Sequence, residues 1–174
     1  MIQTLHQVNI YDEELIYKAI SASFADLDIA KDMRPGLKVA IKPNLIMAKN
    51  PEFPVTTHPL VIKAVVRWLR KHGVTDITLA ESSGGLYTAE YMNNVYRVCG
   101  MKQLEPDLKL NDDFSAKTVH CEEGFKNHSF HIITPIAEAD SGPALWEMRG
   151  LCPGVIPVTS RFSICSPAAL LRWW

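Results

Sequence analysis

Apolar residues recur at helical spacing early in the chain, at Leu15, Ile16, Ala19, Ile20, Phe24 and Leu27, and predict a first helix with one face against a sheet. Asp12 stands where its carboxylate can cap the opening turn, and Glu13 and Glu14 suit the positive end of the helix dipole. The helix should end before Pro35-Gly36, a turn pair that leads into Leu37-Lys38-Val39-Ala40-Ile41-Lys42, a strand with an apolar body. Pro43 cannot donate a ladder hydrogen bond, so the strand should stop there with Lys42 at its C-terminal end. Thr57-His58-Pro59 reads as the next helix start, with Thr57 or His58 as the cap and Pro59 in the first turn. Ile62, Val65, Val66 and Leu69 give its buried stripe, Arg70, Lys71 and His72 its basic last turn, and Gly73 its left-handed stop. Asp76-Ile77-Thr78-Leu79-Ala80-Glu81 is then a second strand, reached through a helix and therefore expected to be parallel to the first, with a right-handed connection.

A third helix should begin at a Thr88 cap, carry Tyr91, Met92, Val95 and Tyr96 on one side, and close at Gly100. Beyond it the pattern shifts to short strands at Thr118 to Cys121 and Ser129 to Thr134, separated by a polar turn-forming segment from Glu122 to His128. The sum is an α/β chain with a Rossmann-like parallel sheet and flanking helices, read as one domain over residues 11–140, and an incomplete one. From Ser141 to Trp174 no period persists: the 34 residues hold four charges and four prolines and end in Trp173-Trp174. This hydrophobic tail, 141–174, is expected to be a truncated, degenerate or frame-shifted continuation.

Composition narrows the function classes. Eighteen basic and nineteen acidic residues leave a net charge of −1, which gives no general attraction to nucleic acid or an anionic membrane, so any anion site must be local. The first nine residues lack Lys and Arg and carry no signal-like apolar run, and no uncharged stretch is long enough to span a bilayer, which makes a cytoplasmic location the default. Cys99, Cys121, Cys152 and Cys165 lack the close pairs that zinc ribbons and iron–sulfur motifs require, and they read as unpaired thiols.

Open α/β sheets bind ligands beyond the carboxyl ends of their strands, and the suggestive side chains fall at that edge. Lys42 and Glu81, on strands about 4.8 Å apart, can pair directly or flank a small polar ligand. Lys42 with Asn44 offers a cation and an amide for carboxylate or phosphate oxygens, and the helix start at Thr57-His58 adds free N–H groups. The connection from Asn44 to Thr57 is long, and Gly84-Gly85 after the second strand allows close backbone approach without completing a nucleotide fingerprint. Ala80-Glu81-Ser82-Ser83-Gly84 approximates a nucleophile elbow, so a serine hydrolase using Ser82, with His120, His128 or His131 downstream, stands as a minor alternative. The helix that should follow such a serine at once is delayed by Gly85 to Tyr87. His128 and His131 face opposite sides of an extended segment, so no metal site is read there.

The blocks Lys38-Val39-Ala40-Ile41-Lys42-Pro43-Asn44-Leu45, Thr56-Thr57-His58-Pro59, Ala80-Glu81-Ser82-Ser83-Gly84-Gly85 and Val95-Tyr96-Arg97-Val98-Cys99-Gly100-Met101 resemble, in order and spacing, the domain of unknown function 362 family. The resemblance runs from about Tyr11 to Asp140. It implies an association with iron–sulfur proteins, because many members carry a ferredoxin-like insertion with four-cysteine motifs; this chain has no such motif. It strengthens Lys42, Asn44, Thr57, His58 and Glu81 as a site; from the residues themselves, Lys42, His58 and Glu81 are the candidate catalytic groups, with Asn44, Thr57, Ser82, Ser83, Gly84 and Gly85 as candidate ligand contacts. At the level of fold alone it is similar to the nickel-pincer racemases, whose α/β domain serves a cofactor and a hydroxy acid. Two functions follow as expectations: binding of a small anionic ligand or cofactor, or a non-catalytic assembly domain whose open sheet is covered by a partner or a second copy.

Overall fold

A computed structural model of the chain describes residues 6, 8–53, 55–82, 86–120, 129–140, 143–144 and 163–164. Helix α1 spans Glu13–Asp26, and Asp12 caps it by accepting from the Leu15 N–H at 2.9 Å. It ends before Pro35-Gly36, as expected. Asp28 takes a left-handed conformation (φ 55°), which Asp adopts more readily than most residues, and a 3₁₀ turn, Ile29–Asp32, follows. Ile16, Ile20 and Phe24 are buried as the periodicity requires, whereas Leu15 is exposed.

Strand β1, Lys38–Ile41, is followed by helix α2, Pro59–Lys71. His58 is the cap, its Nδ1 accepting from the Leu60 N–H at 3.2 Å. Gly73 provides the left-handed stop at φ 84°. Val61, Ile62, Ala64, Val65, Val66, Trp68 and Leu69 are all buried, because α2 is enclosed by the sheet on one side and α1 on the other. The contact with α1 is polar at its rim and aromatic within. Glu13 pairs with Lys63 at 2.8 Å, Glu14 pairs with Arg67, the Arg67 guanidinium lies over Tyr17, and Phe24 meets Trp68 edge-on at 4.6 Å.

Strand β2, Asp76–Leu79, runs parallel to β1 with Val39 opposite Ile77 and Ile41 opposite Leu79. Helix α3, Ala89–Val98, is capped by Thr88, and Gly100 closes it at φ 73°. A 3₁₀ turn, Met101–Leu104, leads along α2, where Arg70 donates to the Asp107 carbonyl at 3.0 and 2.6 Å. That path delivers a third parallel strand, β3, Lys109–Leu110, beside β2. The sheet order is β1-β2-β3. Its two faces differ in kind: Val39, Ile41, Ile77 and Leu79 form the buried apolar side, while Lys38, Asp76, Thr78 and Lys109 line a cavity of about 250 Å³ on the other.

The short-strand region folds as an antiparallel hairpin of β4, Ala116–His120, and β5, Ser129–Ile133; the segment between them lies outside the described residues. A single turn of helix, α4, Thr134–Ala137, follows, and Thr134, Pro135, Glu138 and Ala139 close the far wall of that cavity. Of the tail, only Pro143–Ala144 and Ser163–Ile164 are described, paired antiparallel. No helix among the described residues is long and apolar enough to cross a membrane.

Candidate functional site

Lys42 follows β1 directly and Glu81 lies two residues beyond β2, and the two stay close because the Ala80 N–H still bonds the Ile41 carbonyl at 2.9 Å. The two side chains pair directly. The Lys42 ammonium lies 2.8 Å from Glu81 Oε1 and 2.9 Å from Oε2, so it bridges both carboxylate oxygens. The Glu81 side chain is 4 % exposed and that of Lys42 26 %, so one end of the pair faces the interior and the other reaches solvent. Burial pushes the Glu81 carboxyl above the ordinary carboxylate range. Lys42, the Ser82 N–H at 2.8 Å and the Leu45 backbone pull against that rise without cancelling it.

The long connection after β1 is tied across its base. The Asn44 N–H donates to the Thr57 hydroxyl at 2.9 Å, and the Thr57 N–H donates to the Asn44 carbonyl at 2.9 Å. These reciprocal bonds fix the loop's ends next to Lys42, and they answer which residue caps α2: Thr57 turns back to β1, leaving His58 as the cap. The body of the loop rests on the end of α3. The Cys99 thiol donates to the Met47 carbonyl at 3.4 Å, and a Cβ on Gly100 would lie 3.1 Å from Pro59 Cγ and 3.4 Å from Pro51 Cγ.

His58 has partners of its own. Its ring stacks on Tyr11 with centroids 4.0 Å apart, and its Nδ1 is an acceptor. Burial lowers its pKa, with the Glu52 charge opposing, so His58 is a neutral ring hydrogen-bonded to the α2 backbone. Ser82 is exposed and offers its backbone N–H to Glu81. Helix α3 starts only at Ala89, and His120 and His131 bond Ser129 and Thr118 across the hairpin. Ser83, Gly84, Gly85 and His128 lie outside the described residues.

The residue that sequence reasoning missed is Asn111. It follows β3 as Lys42 follows β1, its N–H bonds the Leu79 carbonyl at 2.9 Å, and it is 4 % exposed. The signal was present in the alternation Leu108-Lys109-Leu110-Asn111, which a two-residue strand barely expresses. Lys42, Glu81 and Asn111 thus all follow the C-terminal ends of three adjacent parallel strands, where such sheets place their ligands, and Asn111 also lines the cavity on the polar sheet face.

An iron–sulfur cluster does not fit what is described. Cys99 is fully buried, burial raises its thiol pKa, and its sulfur is engaged with Met47. Cys121, Cys152 and Cys165 lie outside the described residues, and the chain lacks the close cysteine spacing that cluster ligation uses.

Fold and edge together define an α/β domain with a polar row at the carboxyl end of a parallel sheet. The family model described as Domain of unknown function (DUF362) matches residues 39–142, more than half the chain, and the protein belongs to that family. No curated protein and no solved structure matches it.

Proposed function

We propose that this protein binds a small anionic ligand at the C-terminal edge of its sheet, with Lys42 as the positive contact and Glu81 as the group that exchanges a proton. The observation that carries the reading is the Lys42–Glu81 pair itself: a bidentate bond between adjacent strand ends, with the carboxylate buried and the ammonium open to solvent. Burying a charge is costly, and a pair of this kind adds little stability over apolar packing. It does supply a cation whose counter-charge can be exchanged. When an anion reaches Lys42, Glu81 loses its compensating charge, and burial then favours its protonated form. The Asn44–Thr57 clamp holds the loop beside the ammonium and keeps the approach in one shape.

A second reading, an assembly domain, draws on a different observation. The loops at this same edge expose Ile46, Met47, Phe53, Val55 and Leu86, the last at 71 %. Apolar side chains gathered near one edge are the kind of surface a partner covers.

A thermal-shift screen of the full chain and Lys42→Ala against phosphate, nucleotides and small hydroxy acids separates the two. A probe at a hundred times its Kd stabilises the folded state by about 2.7 kcal/mol, which such a screen resolves. The proposal expects a rise in Tm for the wild type that Lys42→Ala abolishes. A probe that stabilises both proteins equally overturns the role of Lys42. Self-association by sedimentation with no ligand response favours assembly.

A further inference from the structure

Asn111 is fully committed in its hydrogen bonds, and the commitment has a direction. The Asp113 N–H donates to one side-chain atom at 3.0 Å, which must therefore be the carbonyl oxygen Oδ1. The other atom is then the amide nitrogen, which donates to the Asp113 carbonyl at 2.8 Å and to the Tyr87 hydroxyl oxygen at 3.2 Å. An amide nitrogen has nothing to accept with, so Tyr87 is the acceptor in that bond and its own hydrogen is left for another partner. The Tyr87 ring is fixed by an edge-on contact with Phe114, centroids 5.3 Å apart. Tyr87 lies one residue before the α3 cap, within the electrostatic reach of Glu81.

A second buried phenol adjoins this group. Tyr96 is 1 % exposed, and its hydroxyl is buried without a hydrogen bond of normal geometry. A buried hydroxyl left without such a bond is unusual in a folded core. Both phenols are pushed above their ordinary pKa by burial, so both keep their protons at neutral pH.

We infer that Tyr87 is a ligand-contacting donor of this site: oriented by Asn111, its O–H gives a hydrogen bond to one oxygen of the anion whose other oxygen meets Lys42. The inference rests on the anion reading above and adds a second wall to it. The ligand class is an oxyanion with at least two acceptor oxygens, a carboxylate or a phosphate. Asn111 is a positioning residue, acting through Tyr87.

Inorganic phosphate and L-lactate are titrated by calorimetry against the full chain as wild type, Lys42→Ala, Tyr87→Phe and Asn111→Asp. Tyr87→Phe removes only the hydroxyl and keeps the ring against Phe114; it leaves one buried Asn111 N–H without its acceptor, so its Tm without probe should fall modestly, and its Kd is read at a temperature where it is fully folded. Asn111→Asp replaces the donor with an acceptor that draws the Tyr87 hydrogen away from the ligand. A hydrogen bond to a charged group makes about a ten- to hundredfold difference in Kd. The inference expects that loss in Tyr87→Phe and in Asn111→Asp for at least one probe. Loss with phosphate alone identifies a tetrahedral oxyanion, and loss with lactate alone a carboxylate. If Lys42→Ala abolishes binding while Tyr87→Phe binds as the wild type does, Tyr87 has no such role and the reading of Lys42 stands. If the wild type binds neither probe, both fall.

Discussion

Replacing Lys42 with alanine leaves a carboxylate that is 4 % exposed without its cation, and the consequence can be worked through in pH. Breaking a buried pair by removing one partner costs about 3–5 kcal/mol. Here Lys42 itself is a quarter exposed, and Glu81 keeps the Ser82 N–H, so roughly 2–3 kcal/mol is the fitting range at pH 8. Glu81 can escape the penalty by taking a proton, and this sets the sign. Its folded pKa is already above the unfolded value because burial outweighs Lys42. Its protonated form therefore supports the fold fully below the unfolded pKa, and that support is lost as pH rises through the folded pKa. Removing Lys42 raises the folded pKa further, so the deficit of Lys42→Ala should be smallest at the acid end of the range and grow with pH, by up to about 1.4 kcal/mol per pH unit, until Glu81 ionises in the variant. Urea unfolding of the wild type, Lys42→Ala, Glu81→Gln and the double variant at pH 5, 6, 7 and 8 reads this directly. The double variant should recover most of the loss at pH 8. A deficit independent of pH, or a double variant no more stable than Lys42→Ala, would refute the reasoning.

Two further outcomes test the supports of the site by urea midpoint. Thr57→Val removes the acceptor of the Asn44 N–H and should cost about 1–2 kcal/mol, with Thr57→Ser retaining most of the stability. Gly36→Ala and Gly100→Ala both place alanine at positive φ, which costs about 1–2 kcal/mol. Only Gly100 also drives a Cβ to 3.1 Å from a proline ring, so its loss should exceed that at Gly36, where no atom lies within 4 Å; equal losses would mean that the loop does not rest on α3 as described.

Much of the fold was legible because its punctuation is chemical. Asp12, His58-Pro59, Gly73, Thr88 and Gly100 each do what their side chains or lack of one dictate, and the strand–helix–strand unit between Leu37 and Glu81 follows from them. The third strand was not legible, since two paired residues carry no readable period, and Asn111 and the parallel row were lost with it. The choice between Thr57 and His58 as cap needed tertiary structure, because what decides it is the bond from Thr57 to Asn44, thirteen positions away. The pairing of Lys42 with Glu81 was readable as one of two options. Only burial showed how unequal its two ends are. His58 matched the expectation of a residue near the helix start, but its stacking on Tyr11 and its backbone bond give it a structural task.

On the anion-binding reading, the ends of β1, β2 and β3 form one edge. Amide chemical-shift mapping of the ¹⁵N-labelled chain during titration with phosphate and L-lactate tests it most directly. Saturable shifts are expected at Lys42, Asn44, Glu81 and Tyr87, absent in Lys42→Ala. Shifts concentrated instead on the polar sheet face around Lys38, Asp76 and Lys109, or shifts unchanged by Lys42→Ala, would contradict it.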